Sequence, residues 1–434
     1  MTQAIANKVD YLQAFEPFKQ QRSAIDSASL QSLRQRAAQR FQELGLPNRR
    51  LEAWKYTDVS LLARSSFERA VPSSVSPAAI QPFVYDGCHQ LVFVNGYWAP
   101  ELSRVETLPA GCILGSLAEA LQEHPDLVEP YLGKGASFED HAFTALNTAF
   151  LEDGAFLYLL PGTVIEKPIH LLFISTAKDQ ATVSYPRNLL VAKAHSQATI
   201  IESYIGLEGS YFTCPVTEIV ADENAVIDHY KIQREQLKAF HLATMQVQLG
   251  RNSNFSSLSI ALGGALARTD LHANLDAEGI DCTLNGLYLV KDDQRVDHHI
   301  HVDHRKPHGT SHQLFKGLLD GKSQAVFSGK VYVHPKAQKT DAQQSNRNLL
   351  LSDDALVHTN PQLEIFADDV KCSHGATVGQ LDKEAIFYLR SRGLDEVAAR
   401  RLLTYGFASD VLEQIKISVV RDHLEQLLST WLPA

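Results

Sequence analysis

The feature that most constrains the fold is a weak internal repeat, in which a polar turn is followed by a short apolar run. The repeat units begin at Ser196, Glu223, Ser253, Glu278, Lys322 and Asp353. Most steps between their first apolar positions are 25 to 30 residues, and one step of 45 is expected to hold an additional coil. This period, without helices between the strands, favours a β-solenoid, whose coils bury inward side chains by stacking on each other. A β-sandwich is the alternative, although two-residue hairpin signals such as Asn95-Gly96 are scarce.

Helical periodicity flanks this region on both sides. Apolar residues at spacings of three and four from about Tyr11 to Leu62 predict a helical unit, and the same rhythm returns after Leu381. Residues 71–77 are rich in Ser and Pro and offer little apolar surface to bury. We therefore predict a mainly β protein with an N-terminal helical domain at 1–70, a linker at 71–89, a solenoid core at 90–375 and a C-terminal helical domain at 376–434.

Charge and cysteine usage exclude several classes of function. The formal net charge is −10 and no long basic run occurs, so nucleic acid is not an expected partner. The five cysteines form no Cys-x-x-Cys pair, which argues against a disulfide framework or a structural zinc site. The chain shows neither the pattern of a signal peptide nor a run of about 18 apolar residues, so no membrane association is expected. The predicted location is the cytoplasm.

A histidine-rich segment, His298 to His304, is the first candidate metal site. On a strand, Asp297, His299, His301 and Asp303 would share one face, because side chains alternate between the two faces. His299 and His301 could bind Fe(II), Mn(II) or Zn(II), and this cluster would then serve a metal-dependent β-helix or cupin-like enzyme. The preferred interpretation is a polar ladder on an exposed or subunit-facing strand, since the glutamate that a cupin-type site needs is missing.

The second candidate is the segment Asp368 to Asp382, which contains Cys372 and His374. Residues two apart point to the same side of a strand, so the imidazole could hold or deprotonate the thiol, or share a metal with it. A buried structural cysteine is the rival interpretation. No nucleophile elbow occurs, and the glycine spacing at 317–323 does not match a phosphate-binding loop, so no catalytic centre is predicted.

Several longer segments resemble the SufB/SufD family of iron–sulfur cluster assembly proteins. They are Phe327-Ser-Gly329, Ala337 to Ala342, Asn348 to Ser352, Pro361 to Ile365, Asp369 to Gly379, Phe387 to Gly393 and, near the N-terminus, Gly45 to Thr57. The Cys-Ser-His-Gly sequence at 372–375 is the form found in the SufD branch. The cysteine expected before Leu349 in the SufB branch is absent.

The resemblance implies a right-handed parallel β-helix with helical domains at both ends, and a role without catalysis. It implies a SufB-like scaffold and a SufC-like ATPase as partners, the latter bound by the C-terminal helices through Phe387, Tyr388, Leu389 and Arg392. His374, and less directly Cys372, would bind iron or a nascent iron–sulfur cluster at the subunit interface and assist iron acquisition. No cofactor is expected to bind the isolated chain tightly, although FADH2 could bind the assembled complex and the chain could form a homodimer in isolation.

Overall fold

The computed structural model describes residues 11–177 and 180–432. It is a β-solenoid of about eight turns with helices at both ends, as predicted, and 40% of the chain is strand and 24% helix. The strands are β1 Glu68–Arg69, β2 His89–Val94, β3 Tyr97–Trp98, β4 Cys112–Ser116, β5 Ala155–Leu159, β6 Ile169–Thr176, β7 Thr182–Ser184, β8 Arg187–Ala192, β9 Gln197–Glu208, β10 Tyr211–Thr213, β11 Val216–Ala221, β12 Val226–Arg234, β13 Phe240–Leu249, β14 Asn254–Ala261, β15 Leu266–Leu275, β16 Asp281–Val290, β17 Arg295–His304, β18 Thr310–Leu319, β19 Gln324–Val333, β20 Asp341–Leu350, β21 Leu356–Ile365 and β22 Lys371–Gly379.

The helices are α1 Phe15–Arg22, α2 Ala28–Leu44, α3 Ser60–Arg64, α4 Pro77–Ile80, α5 Leu117–Glu123, α6 Pro125–Val128, α7 Ala142–Ala149, α8 Lys383–Ser391, α9 Glu396–Leu412 and α10 Ser418–Trp431. Within the described residues, short 3-10 helices lie at Glu52–Trp54, Gln81–Phe83 and Pro100–Leu102.

Successive strands of the solenoid alternate between two mostly parallel sheets. The first sheet has the order β4-β5-β8-β11-β13-β15-β17-β19-β21, and the second has the order β3-β2-β6-β9-β12-β14-β16-β18-β20-β22. Residues paired in neighbouring turns are about 29 positions apart, for example Leu266 with Arg295 and Asp281 with Thr310. The period predicted from the sequence is therefore the length of one turn.

Residues with positive φ mark the corners at which the chain turns into the second sheet. A residue with positive φ lies two positions before each strand from β9 to β20 in the second sheet, at His195, Asn224, Asn252, Gly279, His308 and Lys339. Asn and Gly adopt this left-handed conformation more readily than most residues, which is why polar turns delimit the repeats.

Alternate side chains point into the solenoid and form its apolar core. Rows such as Ile227, Phe255 and Cys282 stack along the second sheet and face Val247, Ala273 and Val302 of the first. The helices cover the outer faces instead. The α1, α2 and α7 helices pack on the first sheet, and α9 and α10 pack on the second through Val411, Val420, Leu424 and their neighbours.

The predicted domain boundaries do not coincide with those of the elements. The predicted linker at 71–89 contains α4, whose Ile80 is buried, and the division at 375 falls inside β22, which continues to Gly379. The helices α5 to α7 lie within the predicted solenoid core and pack against it. The domain division itself stays a prediction.

Candidate functional site

Cys372 and His374, the two residues predicted to bind iron or a cluster, lie on β22 in the last turn of the solenoid, at its open end. Strand β22 pairs with β20 on one side, and no other strand among residues 11–177 and 180–432 pairs with its outer edge. Strand β21 ends the first sheet in the same way. Unpaired edge strands expose backbone N–H and C=O groups that can pair with another chain.

On β22, the side chains of Cys372 and His374 point in the same direction as the inward-facing side chains of the preceding turns. We call this row of β22 the end row. Cys372 lies in register with Ala342, and His374 with Gln344, both of which are buried in β20. Because no further turn covers β22, Cys372 is only half-buried and His374 is exposed. The structure thus places both side chains on one face, about 6 to 7 Å apart along the strand.

The environment of Cys372 keeps its thiol protonated. The side chain packs against the apolar core, and this burial raises the pKa of the Cys372 thiol above its ordinary value. Since thiolate is the form that binds metals, Cys372 becomes a ligand only when a metal or a base takes its proton. His374, which is exposed, is the more accessible ligand of the two.

This pair by itself offers too few side chains to form a complete metal site. In the part of the chain that the structure describes, no group of three or more His, Cys, Asp or Glu ligands includes either Cys372 or His374. Iron–sulfur clusters are commonly held by four protein ligands. The remaining ligands would have to come from another molecule.

Apolar side chains surround this open end. Leu356 and Ile365 lie at the ends of β21, Phe366 follows it, and Val378 lies on β22, and each is 40% exposed or more. An exposed apolar group next to unpaired strand edges is typical of a protein–protein contact.

Of the predicted partner-binding residues, Phe387, Tyr388 and Leu389 lie on α8, and Arg392 directly follows it. Phe387 and Tyr388 are exposed by 73% and 57%, whereas Leu389 is half-buried. Arg392 donates a hydrogen bond to the Tyr388 hydroxyl at 3.2 Å and lies over its ring. Val397 and Leu402 on α9 are also about half exposed, so α8 and α9 present an apolar surface to solvent.

The side chains of the histidine-rich strand β17 alternate between the solenoid interior and its outer face, as predicted. His298 and His304 point into the solenoid, where burial lowers the pKa of each imidazole to about 4. His298 stacks on Tyr288, and the Nε2 of His304 is 2.8 Å from the Ser311 hydroxyl. These two imidazoles are therefore part of the core.

Asp297, His299 and His301 lie on the outer face, beneath the segment 51–57. Burial would raise the pKa of Asp297, but Arg268, which donates a 2.6 Å hydrogen bond to it, and His299 hold that pKa well below its ordinary value. Thr57 also donates to Asp297, and Arg268 lies 3.7 Å from the centre of the Trp54 ring. His299 Nε2 is 3.1 Å from Asp297 Oδ1, so His299 serves this ion-pair cluster and does not join a ligand group with His301.

Two clusters of polar side chains were missed from the sequence. His301 lies beside His272, not His299, and with Asp303 they form a group whose ligand atoms are within 4.8 Å of one another. A signal existed, because His272 precedes His301 by 29 residues, one turn of the solenoid.

The second missed feature is a charged cluster inside the solenoid. Glu202 Oε2 is 3.2 Å from His229 Nε2, and Glu202 Oε1 accepts a hydrogen bond of 2.6 Å from Tyr204. Lys231, in register with Glu202, donates to Thr269 at 3.2 Å. Burial lowers the pKa of Lys231 to about 8. These charged residues interrupt the apolar alternation expected of inward positions, but the alternation does not show which residues of different turns meet.

Comparison with known proteins was made for the whole chain. Residues 173–407 match the SufBD core domain of the SUF system for FeS cluster assembly, and residues 5–171 match the SufBD protein N-terminal region. An iron–sulfur cluster assembly SufBD family protein of Synechocystis is 37% identical over 94% of this chain and 92% of its own length. The SufD protein of Escherichia coli is 33% identical over 88% of each chain, and protein ABCI7, chloroplastic, of Arabidopsis thaliana is 30% identical over 96% and 90%.

No helix among the described residues is both long and apolar enough to cross a bilayer.

Proposed function

Because the chain belongs to the SufBD family of iron–sulfur cluster assembly proteins, we propose that it is a SufD-type subunit that contributes half of an interfacial cluster site. The partners in this proposal are a SufB-like scaffold, which pairs with the open end, and a SufC-like ATPase, which binds the C-terminal helices. The chain performs no reaction of its own. The observation that carries the proposal is the position of His374 and Cys372 on the uncovered last strand.

The chemistry of the end row supports iron or a nascent cluster as the cargo. Imidazole and thiolate are both ligands of iron–sulfur centres, and the imidazole of His374 is accessible without any rearrangement. Cys372 would lose its proton on binding, because the metal stabilises the thiolate that burial disfavours. Iron acquisition by the complex would then begin at His374. Binding of FADH2 to the assembled complex stays a prediction.

The apolar residues at the open end support a partner that covers them. Leu356, Phe366 and Val378 would be buried by an added layer of strands, and burial of apolar area favours association by about 25 cal/mol per Å². In the absence of the scaffold, a second copy of this chain could cover the same surface, which is the homodimer expected from the resemblance. The proposed location is the cytoplasm, a reducing compartment in which thiols such as Cys372 stay free.

The test of the ligand role is His374→Asn in the complex co-expressed with SufB-like and SufC-like partners. We expect the complex to assemble normally by size-exclusion chromatography but to contain less iron and acid-labile sulfide when purified anaerobically. The matched control is His195→Asn, an exposed histidine with positive φ in a turn, where Asn is well tolerated. Iron and sulfide contents equal to those of the wild type would refute the ligand role of His374.

The test of the ATPase contact uses Phe387→Ser and Tyr388→Ser. Deleting everything after Leu381 would be uninformative, because α9 and α10 cover apolar residues of the second sheet and their loss would expose the core. We expect both point variants to lose the ATPase in a pull-down while retaining the scaffold. Val71→Ser, which removes an apolar side chain that is 60% exposed elsewhere, should retain both partners. Full ATPase retention by the α8 variants would contradict this part of the proposal.

A further inference from the structure

A second cluster of metal-binding side chains lies on the outer face of the first sheet. His272 on β15 and His301 on β17 are paired in register, and their rings stack with centroids 4.4 Å apart and planes 10° apart. Asp303, two residues further along β17, shares their face. One ligand atom from each residue lies within 4.8 Å of the other two.

The two imidazoles leave hydrogen-bonding capacity unused. The Nε2 atoms of His272 and His301 are both buried, and neither has a hydrogen-bond partner among the described residues. An unsatisfied buried polar atom costs about 1 to 3 kcal/mol, and this cluster contains two of them. Burial also lowers the pKa of His272 to about 4 and lowers that of His301, which favours the neutral form of both rings. Neutral imidazole is the form that binds metals.

The carboxylate of Asp303 is ionised and held in place. Burial would raise its pKa, but hydrogen bonds from Arg305 and His334 lower the pKa of Asp303 below its ordinary value. Arg305 Nη2 donates at 2.9 Å to Oδ2, and His334 Nε2 lies 2.9 Å from Oδ1. Such outer partners orient the ligands of established metal sites.

The charges around the cluster are balanced. Lys330, which follows His301 in register on β19, forms a 2.8 Å ion pair with Glu364. Arg305 is shared between Asp303 and Asp276. The positive side chains around the cluster are therefore already paired with carboxylates. Both imidazoles line a cavity of about 570 Å³ between the sheet and the segment 51–57. That cavity leaves room for water or another ligand on the open side of a bound metal.

We propose that His272, His301 and Asp303 bind one first-row divalent transition metal, such as Zn(II) or Fe(II), on the side of the solenoid. Two imidazoles and one carboxylate are typical ligands of these ions, whereas Mg(II) and Ca(II) prefer oxygen ligands throughout. Two ligand atoms bound to one such metal are at most about 4.2 Å apart, which is close to the separations of up to 4.8 Å found here. All three ligands come from this chain, and the site is separate from Cys372 and His374 in the last turn.

The experiment is a Co(II) titration of the isolated full-length chain, followed by optical absorption, with Zn(II) competition to confirm the site. We expect one equivalent of Co(II) to bind with visible bands of a nitrogen and oxygen environment, and one equivalent of Zn(II) to displace it. His272→Gln and His301→Gln, which keep much of the side-chain volume, should each weaken binding by more than about 10-fold.

Two controls separate this site from its neighbours. His299→Gln changes a histidine on the same face that is outside the ligand group, and His374→Asn changes the proposed interfacial ligand. Both should bind Co(II) as the wild type does. Absence of stoichiometric binding by the wild type would overturn the proposal, as would equal binding by the wild type and the His272 and His301 variants. Loss of binding in His374→Asn would also overturn it, because the metal would then be at the open end.

Discussion

The buried Glu202 offers a direct test of the charged cluster inside the solenoid. The side chain is 1% exposed and accepts hydrogen bonds from Tyr204 and Thr217. Burial by itself would raise the pKa of Glu202, but His229, Lys231 and Tyr204 together lower it from 4.5 to about 2. Relative to the unfolded chain, the folded protein therefore favours the carboxylate over the carboxylic acid by about 3 kcal/mol.

Glu202→Gln replaces the carboxylate with an uncharged group of the same shape. A folded-state pKa below the unfolded value gives stability that is present above about pH 4.5 and lost as the pH falls toward 2. We expect the variant to be destabilised by about 3 kcal/mol at pH 7. The difference from the wild type should shrink as the pH falls through this window, because the wild-type carboxyl then becomes protonated as well.

The assay is urea unfolding followed by circular dichroism at a series of pH values between 2.5 and 7. Glu166→Gln, at an exposed position, is the matched control and should change the free energy of unfolding by less than about 0.5 kcal/mol at every pH. A Glu202→Gln effect that is independent of pH, or smaller than about 1 kcal/mol at pH 7, would refute the electrostatic reasoning.

Two further substitutions test the packing of the coils and of the N-terminal segment. Gly286→Ala places a methyl group 2.4 Å from the Phe315 ring in the core, so we expect a loss of about 1 to 3 kcal/mol in urea unfolding, whereas Gly375→Ala, which meets no atom within 4 Å, should be neutral. An equal effect of the two alanines would contradict the packing argument. Arg268→Met leaves Asp297 buried without its cation and should cost about 3 to 5 kcal/mol. Adding Asp297→Asn should recover part of that loss, and a double variant no more stable than Arg268→Met would contradict the pairing.

The period of the solenoid could be predicted because each turn has nearly constant length, and the one irregular step has a simple cause. The repeat units read at 198, 225, 255 and 280 lie on the second sheet, whereas those at 325 and 355 lie on the first. The step of 45 therefore spans one full turn and one half turn. The missed unit is β18, whose inward residues begin with the polar Ser311 and Gln313, so it lacks the apolar start that defines the repeat.

The helices within the first third of the solenoid could not be recognised from periodicity. Helix α7 is buried on nearly every side, from Phe143 to Ala149, and a helix without a polar face has no 3.6-residue pattern. The charged cluster at Glu202 and the pairing of His272 with His301 were not predicted from the sequence for a different reason. Both depend on side chains from different turns. Which residues of two neighbouring turns pair can be determined only when the positions of the corners are known.

The end row of the solenoid links partner binding to ligand binding. In β20 the equivalent row of Ala342, Gln344, Asn346 and Asn348 is at most 3% exposed, because β22 covers it. The row on β22 has the same inward direction and nothing over it among the described residues, so its burial requires another chain. In the proposed assembly, a partner that covers this row would remove water from Cys372 and His374 at the same step in which it adds its own ligands. Because the two events share one surface, binding of metal and binding of partner must each strengthen the other by the same factor. Partner affinity should therefore rise when iron is present under anaerobic conditions, and this increase should be lost in His374→Asn.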